Sequence, residues 1–191
     1  MDASSKNVEL GFLEKIDAAD HYSLFSCFFR SKVGGRPPWL ALKCLPHNQR
    51  LVCSTCGQMC VFLQIYCPID GKANCFHRSL YIFCCKNPQC YEGNNSGVIK
   101  VMRSQLPRQN PFYECEPLEE SENCDYSSLP SADMYQKLCN VCGCNGDKRC
   151  AKCKTTHYCS KEHQTLDWRS GHKVLCGAPD STGINTLVRC T

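Results

Sequence analysis

CNVCGCNGDKRCAKCKTTHYCSKEHQTLDWRSGHKVLC, residues 139–176, places eight zinc-type donors in four close pairs: Cys139/Cys142, Cys150/Cys153, Cys159/His163 and His172/Cys176. A Cys-x₂-Cys step makes a tight knuckle that turns both thiolates toward one ion, and zinc takes four nitrogen or sulfur donors in a tetrahedron. Cys159 and His163 are four residues apart, so they share one face of a helix that starts at Ser160, a favourable N-cap residue. Eight donors complete two closed sites and leave no open coordination position, the pattern of structural rather than catalytic zinc. Four pairs can be sorted into two sites in more than one way, and spacing alone leaves the sorting open.

A disulfide scaffold is the competing reading, because the chain carries 20 cysteines in 191 residues, a density typical of short secreted proteins held by disulfides. Residues 1–10 argue against it. They hold Asp2, Lys6 and Glu9 and no apolar signal core. Paired spacing with two interspersed histidines also fits metal in a reducing compartment better than oxidation. No stretch approaches the roughly 18 apolar residues of a membrane span; the best, residues 24–29, is far too short. The expectation is a soluble intracellular protein in which metal supplies much of the stability, since ordinary aliphatic and aromatic content is lean once the cysteines are set aside.

Upstream, the pattern reads as β structure. Residues 61–66 form an unbroken strand-like run, Pro68-Ile69-Asp70-Gly71 a turn, residues 76–85 a returning strand, and residues 98–103 a third strand after a Gly/Asn-rich turn. Cys53/Cys56 stand just before the first strand and Cys85/Cys90 just after the second. An antiparallel hairpin brings those ends together, as a third, Cys₄ zinc site requires. Cys84 competes with Cys85, but neighbours on a strand point to opposite faces, so only one can serve. A redox role for Cys53/Cys56 lacks the βαβ context of such dithiols.

Other features read as structure. Residues 31–39, SKVGGRPPW, are a Gly-Gly turn followed by a rigid Pro-Pro and a core Trp39, with partner binding at the exposed turn as the alternative. His77 reads as a packed or surface histidine, and His21 and His47 have no evident partners. Cys144 and the thiols Cys27, Cys44, Cys60, Cys67, Cys75, Cys115, Cys124 and Cys190 read as small hydrophobes or spectators. Residues 114–133 hold seven acids (Glu114, Glu116, Glu119, Glu120, Glu122, Asp125 and Asp133) and no Lys or Arg, a composition that cannot bury a core. The rest of the chain sets 11 acids against 22 Lys and Arg and is distinctly cationic.

The Tyr-Cys-Ser step, Gln164, Trp168 and the closing His-Lys-x-x-Cys of residues 139–176 resemble a MYND-type zinc finger. That resemblance implies interleaved ligands: Cys139, Cys142, Cys159 and His163 on one zinc, Cys150, Cys153, His172 and Cys176 on the other, with His163 in place of the commoner cysteine. It also implies that Gln164 and Trp168 line a groove for a proline-containing peptide. Further upstream, VELGFLEK, SKVGGRPPWL, CSTCGQMCVFLQIYCP, FHRSLYIFCCKNPQC and RSQLPRQNPFYE together resemble the N-terminal part of the programmed cell death protein 2 family. This likeness favours Cys85 over Cys84, giving Cys53, Cys56, Cys85 and Cys90 as the third zinc set.

The expected fold is a small zinc-stabilised α+β protein. An N-terminal antiparallel β-rich module spans 8–113, an acidic flexible linker 114–136, a MYND-type two-zinc finger with a short C-terminal helix 137–176, and a disordered tail 177–191. Family members continue into a further C-terminal domain. The resemblance implies a non-enzymatic adaptor or chaperone escorting a basic small-subunit ribosomal protein in ribosome biogenesis, in cytoplasm and nucleus. The alternative is a nuclear transcriptional or chromatin regulator recruited through MYND–peptide binding. Lys148, Arg149, Lys152, Lys154, Lys161, Arg169 and Lys173 make the finger basic. Direct nucleic-acid binding is nevertheless not expected, because a long recognition helix and a basic-aromatic stacking platform are both missing. No Ser-His-Asp order, P-loop or dinucleotide turn appears, so no enzyme is expected.

Overall fold

A run of 25 strand residues without a single acid builds the framework: β1 Lys32–Val33, β2 Cys60–Tyr66, β3 His77–Cys84 and β4 Ile99–Leu106. The computed structural model describes residues 10–57, 60–118 and 126–177. The four strands form one antiparallel sheet in the order β1-β2-β3-β4. Three of them match the expected meander. Strand β1 comes from the segment read as a turn: Lys32 and Val33 pair with Gln64 and Leu63 before the Gly34-Gly35 reversal. Among the described residues no helix is long and apolar enough to cross a membrane.

Strict alternation along β3 sends His77, Ser79, Tyr81 and Phe83 inward and leaves the residues between them half exposed. Tyr81 and Phe83 meet Trp39, Leu40, Leu42, Leu51 and Tyr113 in the main core, each large apolar side chain contributing about 1.5–3 kcal/mol on burial. Buried hydroxyls find partners: Leu40 N–H donates to Tyr81 Oη (2.7 Å), and Tyr113 Oη donates to the Leu40 carbonyl (2.7 Å). His77 is packed as expected. Its ring stacks on Phe29 and its Nδ1 bonds Tyr66 Oη at 3.0 Å. Burial lowers its pKa from the ordinary histidine value.

The finger carries a small hairpin, β5 Lys148–Arg149 with β6 His157–Tyr158, then α1 Lys161–Asp167, a π-turn Trp168–His172 and a last helical turn, α2, Lys173–Leu175. It does not stand apart from the sheet, for Cys144, Leu138 and Cys142 lie in or against the main core. Trp39 Nε1–H donates to the Gly143 carbonyl at 2.6 Å, and Asn145 N–H donates to the Pro46 carbonyl at 3.3 Å. Gly143 has φ +69° and could not carry a Cβ comfortably, since that atom would lie 3.2 Å from Pro37 Cδ and 3.3 Å from Arg36 Cβ. His47, expected to be without a partner, meets Asn145 Nδ2 at 3.1 Å. That contact spans 98 positions and has no local sequence signal.

Residues 126–136, grouped above with the acidic linker, are docked. Tyr126 stacks on Tyr22 at 4.0 Å, Ala132 and Leu129 join the main core, and Tyr135 packs edge-on against Phe112. These apolar side chains outweigh the segment's acidic average. Glu119, Glu120, Glu122, Asp125 and the tail 178–191 lie outside the described residues.

Candidate metal centres

Three Cys-x₂-Cys knuckles share one backbone construction. The carbonyls of Cys53, Cys139 and Cys150 accept from the N–H four residues on, of Gly57 (3.0 Å), Gly143 (2.9 Å) and Lys154 (2.9 Å). Each donor residue sits at positive φ (+72°, +69° and +59°), which reverses the chain and leaves both sulfurs on one side of the loop.

The N-terminal knuckle faces the end of the β2–β3 hairpin. Because β3 alternates, Cys84 continues the outward series and Cys85 turns in, where its N–H donates to the Val98 carbonyl at 2.9 Å. Cys90 is delivered by the 3₁₀ segment Pro88–Asn94, whose first turn is capped by the Asn87 side chain accepting from Gln89 N–H at 3.1 Å. Cys53, Cys56, Cys85 and Cys90 thereby gather, while Cys84 stays outside. Replacing Cys85 with Ser should remove one zinc equivalent per chain by metal analysis, whereas Cys84→Ser should leave the metal content unchanged.

In the finger, Ser160 Oγ accepts from His163 N–H (3.2 Å), starting α1 so that His163 Nδ1 lies 3.1 Å from Cys159 Sγ and 3.5 Å from Cys139 Sγ. The π-turn, with Gly171 at φ +152°, then resets the helix and brings His172 Nε2 to 3.7 Å from Cys153 Sγ. The eight donors sort into Cys139/Cys142/Cys159/His163 and Cys150/Cys153/His172/Cys176, the interleaved arrangement.

Distances test whether these sets suit zinc. With Zn–S near 2.3 Å and Zn–N near 2.0–2.1 Å, tetrahedral edges are about 3.8 Å for S···S and about 3.6 Å for S···N. The sulfurs of Cys56 and Cys85 are 3.4 Å apart, those of Cys142 and Cys159 3.5 Å, and those of Cys150 and Cys176 3.8 Å. All four donor atoms in each set lie within 4.8 Å of one another. Such separations fit tetrahedra and far exceed a disulfide bond; no disulfide joins the cysteines with described side chains. The donors fit zinc.

Electrostatics agree. The N–H groups of Cys56 and Thr55 hold the Cys53 thiol low, at about 6. The sulfurs of Cys139 and Cys159 push His163 up to about 10. The Cys53 shift records N–H donors that favour its thiolate, and the His163 shift records negative charge on the neighbouring sulfurs, which a dication neutralises.

One support was missed at the sequence level. Buried Asp167 closes α1 and accepts from Tyr158 Oη (2.7 Å) and Asn140 Nδ2 (3.0 Å). It thus ties the helix to the hairpin and to the first finger knuckle. An acid on an otherwise exposed helix gives no sign of this. Tyr158→Phe leaves the Asp167 carboxylate one donor short and should cost about 1.5–3 kcal/mol, read as a lower thermal midpoint of the zinc-loaded chain.

Gln164 and Trp168 fall one turn apart, both half-buried. The Trp168 ring packs edge-on to His172 and lies under Lys152 Nζ at 5.9 Å. Cys144 is buried in the main core and takes no place in a tetrad.

These features define a zinc-binding protein-interaction molecule with a MYND finger set on a β-sheet. The chain belongs to the programmed cell death protein 2 family: that family's N-terminal domain matches residues 7–120 and the MYND finger residues 139–176. Programmed cell death protein 2 of Bos taurus is 48% identical over 183 residues, covering 93% of this chain and 50% of the relative. The Mus musculus protein of that name is 48% identical over 178 residues, covering 91% and 49%. This chain therefore spans about half the length of those relatives. Ubiquitin carboxyl-terminal hydrolase 19 of Arabidopsis thaliana is 50% identical over 51 residues, only 8% of that enzyme, too short a likeness to carry an activity across. No solved structure matches the chain. A MYND finger binds zinc and is a protein-interaction domain, and the family is not a known enzyme family.

Proposed function

We propose that the chain is a non-enzymatic adaptor that chaperones a basic small-subunit ribosomal protein during ribosome biogenesis, working in cytoplasm and nucleus. Twelve residues, Cys53, Cys56, Cys85, Cys90, Cys139, Cys142, Cys150, Cys153, Cys159, His163, His172 and Cys176, hold three structural zinc ions. Gln164 and Trp168 contact a proline-containing peptide, and the acids of 114–133 counter the client's charge. The observation that carries the reading is that every tetrad is closed: four protein donors per site leave no position for a reacting water. Metal then serves to fix a surface, and a half-buried Gln164/Trp168 pair remains on it.

Purified zinc-loaded chain titrated with a basic small-subunit ribosomal protein should bind, with affinity falling steeply as salt rises. Replacing the acids of 114–133 by alanine should weaken that binding most at low salt, and Trp168→Ala should weaken capture of proline-containing peptides. Client binding that ignored the acids even at low salt would remove the electrostatic part. Peptide binding with no ribosomal-protein binding at all would turn the reading toward a transcriptional adaptor.

A further inference from the structure

Strand β4 is the long free edge of the sheet. It pairs with β3 along all eight of its residues, whereas the other edge, β1, has only two. No bulge or proline interrupts it. The ladder fixes which of its backbone groups are spare. Cys85 N–H donates to the Val98 carbonyl, so 85/98 is a hydrogen-bonded pair, and every second pair of an antiparallel ladder repeats it. Lys100, Met102, Ser104 and Leu106 therefore bond to β3, while Ile99, Val101, Arg103 and Gln105 turn N–H and C=O to the free side. Among the described residues no other backbone group bonds to those four.

The same residues carry their side chains away from the core, since Met102 and Leu106 at the alternate positions pack against it. Ile99 and Val101 are 48% and 59% exposed, and Arg103 is exposed. Val101 ends an apolar row, Val33, Leu63, Ile82 and Val101, that crosses all four strands. Arg103 stands beside that row, opposite Leu80. Among the described residues no carboxylate pairs with Arg103, and no strand of the sheet contains Asp or Glu. Gln105 is engaged by its own chain, its Nε2 donating to Cys75 Sγ at 2.7 Å. The open stretch is therefore Ile99–Arg103.

We propose that this edge takes an extended segment of a partner protein as a fifth, antiparallel strand, with apolar side chains beside Ile99 and Val101 and an acidic one beside Arg103. The free backbone groups call for a strand, because only an extended chain presents donors and acceptors at their spacing. The side chains then select which strand, through cross-strand apolar contact and an opposite-charge pair. Along the partner the pattern reads acid-x-apolar-x-apolar. The site uses no residue of the finger and does not depend on the Gln164/Trp168 pair. A second copy of the chain meets the pattern poorly, since its own edge offers Lys100 and Arg103 and no carboxylate.

The zinc-loaded full chain and a labelled, end-capped peptide, Ser-Thr-Glu-Thr-Val-Thr-Val-Thr-Ser, test this by fluorescence anisotropy and amide hydrogen exchange. In the free chain the amides of Val101 and Arg103 should exchange fast and those of Lys100 and Met102 slowly, and bound peptide should slow the first two. Val101→Pro removes an outward N–H and leaves the bonds to β3 whole, so binding should be lost with the zinc content kept. Arg103→Glu changes only an exposed side chain, which keeps the test decisive even where the proline costs stability. It should reverse, several-fold, the preference for this peptide over its counterpart with Lys in place of Glu. Four results would overturn the proposal: no binding, slow exchange at Val101 and Arg103 in the free monomer, binding that survives Val101→Pro with no change of preference in Arg103→Glu, or protection that grows with concentration alongside dimer formation.

Discussion

Stripping the metal with a strong chelator should unfold the protein, with loss of near-ultraviolet dichroism and of the cooperative thermal transition. A structural zinc contributes on the order of 10–16 kcal/mol in peptide models, whereas a whole domain retains only about 5–15 kcal/mol net. Two of the three apolar clusters here consist mainly of tetrad cysteines: Cys53, Cys85 and Cys90 with Val98, and Cys139, Cys150, Cys159 and Cys176 with Tyr158. Without the ion those sulfurs become crowded, mutually repelling thiolates or poorly packed thiols. Acid should act in the same direction. Cys53 is held at about 6 by N–H donors, below the ordinary thiol value of 9.0. Its contribution is therefore complete above that ordinary value and lost as pH falls through about 6, with protons competing for the metal at the same time. Circular dichroism across a chelator series and a pH series reads both effects, and a chain that kept its transition after exhaustive chelation would refute the scaffold role.

Trp39→Ala should be the most damaging single substitution away from the metal donors. It removes a buried aromatic ring, at about 3–5 kcal/mol, and leaves the Gly143 carbonyl without its 2.6 Å donor. Gly143 directly follows Cys142 of the first finger tetrad, so the loss should reach both halves of the molecule. Urea titration followed by one probe in the sheet and one in the finger should show both midpoints falling together. A shift confined to the sheet probe would mean that the two halves unfold independently. Trp39→Phe keeps one aromatic ring but loses the hydrogen bond and part of the buried indole, so a loss smaller than that of Trp39→Ala is expected.

Most of the candidate site was legible in the sequence because its signals are local. Cys-x₂-Cys and the Ser160 cap with His163 three residues on each operate within a few residues, whereas strand alternation admits only one of Cys84 and Cys85 and the choice of Cys85 came from the family resemblance. How the finger pairs interleave came from the resemblance to MYND fingers, since spacing permits other sortings, and the structure groups them that way. The unread features are long-range. The contacts of Trp39 with Gly143 and of His47 with Asn145 span 104 and 98 positions, and the Asp167 network exists only once α1 has packed. Strand β1 was hidden by its length, two residues beside a Gly-Gly turn. The docking of 126–136 was masked by averaging Tyr126, Leu129 and Tyr135 with their acidic neighbours.

Native mass spectrometry of the purified chain, with the metal identified by elemental analysis, reaches the central claim most directly. Three zinc ions per chain, falling to two in Cys85→Ser, is the outcome that three closed tetrads demand. A folded chain carrying no metal, or one whose mass showed these cysteines oxidised in pairs, would contradict it.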